Sequence, residues 1–191
     1  VTNQKGGVGK TTTAVNLAYV LAHDLKKSTL LIDCDFKRPM VHEYMDISVE
    51  PGLSEAMLGR EILENCIHHC EGTPLSILPC GDPKVRPASI SGIQYVKQIL
   101  PELRTRYDHV ILDGPPILTL ADVNVLGSLA DQVILVVRAG LTSLDMVRKA
   151  VKQLNVNSDE IGVVLTKVEM EFAPYFMYET PYAGKHGRSG E

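Results

Sequence analysis

The segment "NQKGGVGKTTTAVNL", residues 3 to 17, constrains this chain more than any other stretch. Glycines at 6, 7 and 9 let backbone N–H groups close around an anion, and the loop runs straight into a helix whose amino end favours negative charge. In that arrangement Lys10 reaches the terminal phosphates of a nucleotide, and Thr11 offers its hydroxyl to Mg²⁺. The candidate nucleotide-binding set is Lys5, Gly6, Gly7, Val8, Gly9, Lys10, Thr11 and Thr12. Against the general pattern G-x-x-x-x-G-K-[ST], only Gly9-Lys10-Thr11 is kept, and Gln4 stands where the first glycine belongs. The loop is thus the deviant K-G-G-x-G-K-[ST] form of the Walker A motif. Such a loop is launched from a buried strand, and only Val1 and Thr2 stand before Asn3, so the sequence reads as a piece of something longer.

Downstream, short apolar runs alternate with helical patterns, the signature of parallel βαβ winding. The runs are "STLLI" (28 to 32), "LSIL" (75 to 78), "HVILD" (109 to 113), "QVILVVR" (132 to 138) and "IGVVLT" (161 to 166). Helices are expected from Lys10 to about Asp24, from about Ala88 to Arg104, and after a Thr142-x-x-Asp145 variant of the capping box. Strands that read as continuous apolar runs are covered on both faces. The expected fold is α/β, a three-layer, doubly wound, mainly parallel sheet of the P-loop NTPase type with its site at the carboxyl ends of the strands. At 191 residues, 45% of them hydrophobic, the chain can bury one continuous core. Residues 1–170 are expected to form one ATP-binding domain whose first strand is truncated, and 171–191 a tail without periodicity.

No apolar run approaches the ~20 residues of a membrane span, and no secretory signal pattern is present. The four cysteines form no obvious disulfide framework, which points to a reducing cytosol. The formal charge of −4 gives no overall basic footprint, so no nucleic-acid partner is expected.

A nucleoside triphosphate with Mg²⁺ needs carboxylates at strand ends near the loop. "LLIDCDF" closes the second strand with Asp33 and Asp35, which period 2 directs to one side, and "VILDGPP" ends another strand in Asp113. Lys10, Asp33, Asp35 and Asp113 are the candidate catalytic residues. Thr11, Asp35 and Asp113 are the candidate metal-holding set.

These motifs together resemble the MinD-like P-loop ATPases. Within them, "LIDCDFKRPMVHEYM", "PGLSEAMLG", "LSILPCGDPKVRPASI" and "YDHVILDGPPILTLADVNVLGSLADQVILVVRAG" are similar to the bacterial tyrosine kinases, the cytoplasmic autokinase domains of capsule and exopolysaccharide export systems. The resemblance implies an ATP- and Mg²⁺-dependent protein-tyrosine autokinase. It also implies a homo-oligomer (a dimer or a ring), a membrane polysaccharide co-polymerase or adaptor as partner, and a place at the inner face of the cell membrane. That family ends in a tyrosine cluster phosphorylated by neighbouring subunits, matched here by Tyr175, Tyr178 and Tyr182. In such a site Asp33 is placed to orient or deprotonate the incoming hydroxyl, while the sequence leaves open which of Asp33, Asp35 and Asp113 is base and which is ligand. The loop itself is the version typical of partitioning and septum-placement ATPases, in which Lys5 reaches across a dimer interface. A positioning ATPase that uses ATP-driven dimerisation is therefore the rival reading.

Other features carry less. In "CIHHC", Cys66, His68, His69 and Cys70 lack paired C-x-x-C spacing and read as a frayed helix end, not a zinc site. Cys34 reads as a small buried residue. Lys37 and Arg38 are either a solvated pair or a subunit contact. Thr166 and Lys167 lie where relatives hold the adenine ring.

Overall fold

The computed structural model describes residues 7–82, 84–85, 89–117, 122–154 and 156–168. The truncated first strand, Lys5, Gly6, Tyr175, Tyr178 and Tyr182 lie outside the described residues.

Strand β1 (Thr29–Asp33) is buried along its whole length. β2 (His68–His69) and β3 (Leu75–Leu78) follow it in sequence, and β4 (His109–Asp113) flanks it on the other side. β1 runs parallel to both β3 and β4, and the register with β4 sets Asp33 opposite Asp113. β2 lies antiparallel on the edge beside β3, giving the order β2-β3-β1-β4. β5 (Val133–Arg138) and β6 (Ile161–Thr166) form a separate parallel pair among the described residues. All five expected strands are present to within a residue.

The period of two along β1 sends its side chains to opposite faces, and each face has its own cover. Leu30 and Ile32 join Ile93, Val96 and Leu103 of helix α4 (Ser89–Arg106) and Leu126 of α5 (Asp122–Leu129). Leu31 faces the other way, against Ala14 and Ala18 of α1 (Lys10–Tyr19) and Val41 of α2 (Val41–Met45). Burying a leucine or isoleucine of this kind contributes about 1.5–3 kcal/mol, which is why an unbroken apolar strand settles between two helical layers. A third cluster packs Val133, Leu135 and Val137 of β5 against Ala150 and Leu154 of α6 (Leu144–Leu154). α3 (Leu53–Met57) is a single turn or so whose start, Gly52, is bonded through its N–H to the Glu55 carboxylate.

Local detail departs from expectation in three places. The first helical segment reaches Asp24 as expected, but its last turn, Val20–Asp24, is π-helical, closed by the Leu25 N–H on the Val20 carbonyl. The start of α6 is not capped by Thr142, whose hydroxyl accepts from the Arg138 N–H; the hydroxyl facing the helix belongs to Ser143, which accepts from Met146. The "CIHHC" stretch is a helix end only at Cys66, and the residues after it form a strand. Leu63–Cys66 forms a 3₁₀ turn and His68–His69 the edge strand, because the β3 edge offers unpaired backbone groups. Alternation along that strand turns His69 toward Ser76, with Nδ1 and Oγ 2.9 Å apart. Among the described residues no group of three His, Cys, Asp or Glu side chains is placed to hold a metal ion. Among them, too, no helix is long and apolar enough to cross a membrane.

Candidate functional site

The site lies where β1 and β4 end and α1 begins. Gly7 and Gly9 both have positive φ, 79° and 99°, a conformation that glycine adopts without a Cβ penalty. Gly9 thereby turns the chain into α1, where its carbonyl accepts the Thr13 N–H at 2.9 Å and the Thr13 hydroxyl at 2.8 Å. The N–H groups of Lys10, Thr11 and Thr12 precede any intrahelical acceptor, as they must at a helix start. Positive partial charge therefore collects there, with the mostly buried Lys10 beside it.

The carboxylates converge on this end. Thr11 Oγ1 donates to Asp113 Oδ2 at 2.6 Å, bridging 102 residues of sequence. The other oxygen, Asp113 Oδ1, is buried without a hydrogen-bond partner. Asp33 is wholly buried; its Oδ1 accepts from the Asp35 N–H, and its Oδ2 from the N–H groups of Met40 and Val41, each at 3.1 Å. Asp35, 7% exposed, accepts the Arg38 N–H through Oδ1. Burial, then the Asp113 charge, pushes the Asp33 carboxyl up to about 8, against the pull of its backbone N–H bonds. Burial also raises Asp113, opposed by the Thr11 hydroxyl and by Lys10.

Acidic oxygens crowded in a low-dielectric site, with one left unpaired beside a threonine hydroxyl, are the donor set a hard divalent cation takes. Thr11, Asp35 and Asp113 thus fit Mg²⁺. Of the expected set, Gly7, Val8, Gly9, Lys10, Thr11, Thr12, Asp33, Asp35 and Asp113 all belong to this region. Cys34 is buried as expected, and burial pushes its thiol well up, the opposite of what a nucleophile needs. Lys37 and Arg38 are exposed.

Two contacts at the site are not legible in the sequence. Thr166 Oγ1 donates to the Val8 carbonyl at 2.7 Å and so ties the end of β6 to the phosphate loop. Thr12 Oγ1 donates to the Tyr44 hydroxyl at 3.1 Å. No residue type marks either pair, since each depends on where two distant elements meet. Alongside runs a cavity of about 510 Å³ lined by Val8, Gly9, Asn16, Leu17, Thr166 and Lys167, among others. Thr166 and Lys167 therefore stand beside the phosphate loop.

Comparison with known proteins agrees with this geometry. The family model described as an AAA domain matches residues 1–166. The tyrosine-protein kinase YwqD of Bacillus subtilis is 36% identical over 154 residues, 81% of this chain and 65% of that protein. The chain spans 16% and 24% of two further curated tyrosine-protein kinases. The crystal structure of the VpsO kinase domain superposes with a TM-score of 0.79 at 34% identity, covering 88% of this chain and 83% of that one. MinD of Aquifex aeolicus shares the fold, with a TM-score of 0.68 at 22% identity over 92% of this chain and 70% of that one. A loop, a carboxylate set and a sheet of this kind, matched over most of the sequence, make the chain a member of the AAA domain family and, within it, of the bacterial tyrosine-kinase group.

Proposed function

We propose that this chain is the catalytic part of an ATP-dependent protein-tyrosine autokinase that regulates capsule or exopolysaccharide synthesis and export. The observation that carries the chemistry is the Thr11–Asp113 contact with its unpaired carboxylate oxygen, directly beside a helix start whose first N–H groups have no intrahelical acceptor. Lys10, Lys5 and the loop N–H groups from Gly6 to Thr12 hold the phosphates of ATP. Thr11, Asp35 and Asp113 hold Mg²⁺ and its waters. The ion supplies charge neutralisation at the terminal phosphates. Asp33 is fixed in direction by three backbone bonds, and a carboxyl raised to about 8 suits a proton acceptor working near neutral pH. Phosphoryl transfer depends mostly on positioning and charge neutralisation, so this set is chemically sufficient.

The acceptors in this reading are Tyr175, Tyr178 and Tyr182, in the tail 171–191, presented to the site of a neighbouring copy in a dimer or ring. The partner is a membrane polysaccharide co-polymerase or an adaptor with a cytoplasmic tail. It holds the kinase at the inner face of the membrane unless an upstream region of the same protein does so. The Lys5-Gly6-Gly7 form of the loop supports a second reading, a positioning ATPase in which nucleotide only drives dimerisation.

One experiment separates them. Purified protein is incubated with Mg-ATP and mapped for phosphotyrosine by mass spectrometry, beside a variant with Tyr175, Tyr178 and Tyr182 all changed to Phe. The kinase reading expects modification in the parent and its loss in the variant. A parent that hydrolyses ATP and oligomerises without ever gaining phosphotyrosine sinks the kinase reading in favour of the second.

A further inference from the structure

Thr11 and Thr12 are neighbours at the amino end of α1, yet their hydroxyls leave in different directions. Thr11 turns inward to Asp113, and Thr12, exposed, donates to the Tyr44 hydroxyl. Tyr44 belongs to α2 and is 51% exposed, so it is not held there by burial alone.

The five-residue α2 is too short to be stable by itself. Its position is set by the burial of Val41 and by bonds at its two ends. At the amino end, the N–H groups of Met40 and Val41 donate to Asp33. At the other, Tyr44 meets Thr12. Asp33 in turn stands opposite Asp113, which holds Thr11. The contacts close a ring from Thr11 through Asp113, Asp33, α2 and Tyr44 back to Thr12.

Each of the two hydroxyls carries one proton and spare lone pairs. With Thr12 as donor to Tyr44, the Thr12 proton is engaged. An anion at the helix start that accepts this proton leaves Thr12 with free lone pairs, and Tyr44 can then donate to it across the same distance. The bond reverses direction while both side chains stay in place.

We propose that Tyr44 is a positioning residue of the phosphate-binding end: its hydroxyl holds the Thr12 side chain toward a bound phosphate and ties occupancy of the site to α2. The inference rests on reading the start of α1 as the nucleotide site, and its test keeps the two apart. MgATP and MgADP affinities are measured by calorimetry for the parent, Tyr44→Phe, Thr12→Val and the double variant. Thermal midpoints are recorded without nucleotide, and amide exchange across residues 40–45 with and without it.

Tyr44→Phe keeps the ring and removes only the hydroxyl. It is expected to weaken nucleotide binding about three- to tenfold, because Thr12 is no longer held toward the phosphate, and, since the same bond is present without nucleotide, to lower the nucleotide-free midpoint by about 1–6 °C. The double variant is expected to bind no worse than Thr12→Val, because both changes break one bond. Nucleotide is expected to slow exchange across 40–45 in the parent and to do so less in Tyr44→Phe. Binding by Tyr44→Phe within about 1.5-fold of the parent overturns the proposal. So do losses that multiply in the double variant, or a fall in the nucleotide-free midpoint of more than about 6 °C, beyond what one hydrogen bond costs. A parent that binds no nucleotide overturns the reading of the site itself; a parent that binds while Tyr44→Phe is unchanged overturns only the role of Tyr44.

Discussion

Replacing Gly92 with alanine drives a methyl group into the ring of Phe36. Gly92 is in the first turn of α4, and a Cβ built there falls 2.5 Å from both Cε1 and Cε2 of Phe36, with Cζ closer still. Carbon pairs prefer about 3.5–4.0 Å, so the overlap is on the order of 1 Å or more. Phe36 is 6% exposed and belongs to the cluster that includes Cys34, Leu53 and Ile93, which leaves its ring little room to retreat. Overpacking of this kind costs about 1–3 kcal/mol, and the better helix propensity of alanine returns at most about 1. The net loss is on the order of 1–2 kcal/mol, or about 2–8 °C in thermal midpoint for a chain of this size. Phe36 directly follows Asp35, so its displacement also disturbs a candidate metal-holding carboxylate, and Mg-nucleotide affinity should fall with the midpoint. Thermal melts and calorimetric binding on Gly92→Ala measure both. Adding Phe36→Leu makes room for the methyl and should restore much of the lost midpoint, giving a clearly non-additive pair. A Gly92→Ala protein that melts at or above the parent refutes the reasoning, as do strictly additive losses in the double variant.

Two further outcomes follow from the site. The Asp33 carboxyl rises from 3.8 to about 8 on folding, so the folded state binds a proton that the unfolded state has released. Its contribution to stability is full below about pH 4 and falls as pH rises toward 8, by up to about 1.4 kcal/mol per pH unit; urea titrations at pH 5, 7 and 8.5 should show that slope in the parent and a flatter one in Asp33→Asn. Thr166→Val keeps the shape of the side chain but removes the donor to the Val8 carbonyl, and it should weaken nucleotide binding about three- to tenfold, measured by displacement of a fluorescent nucleotide.

The sequence carried the parts of this fold that rest on local pattern. The β1 run from Thr29 to Asp33 has no alternation, which demands two covers, and Leu30 and Leu31 indeed face different helical layers. Lys10, Thr11, Asp33, Asp35 and Asp113 were legible because phosphate and metal chemistry restricts which residue types can serve. What stayed hidden depends on contacts between distant segments. The two-residue strand at His68 is created by the free edge of β3, not by its own composition. Ser143 rather than Thr142 faces the start of α6, a choice between two adjacent hydroxyls that only backbone direction decides. Gly92 is the space that admits Phe36, a role that nothing in its own stretch of sequence marks.

The bond from Thr166 to Val8 spans 158 positions in the chain, nearly its whole described length. During synthesis the phosphate loop emerges well before its tether, so the loop must wait for the 158 positions up to Thr166 to be made before it is held in its final shape. Contacts of such long sequence separation form late and slowly, after the loop-closure entropy has been overcome. Until then nucleotide meets a loop without this tether and binds it less tightly, by the roughly three- to tenfold that one such bond is worth. A nascent chain that has not yet released β6 carries every glycine and lysine of the motif, but its loop is not yet tethered.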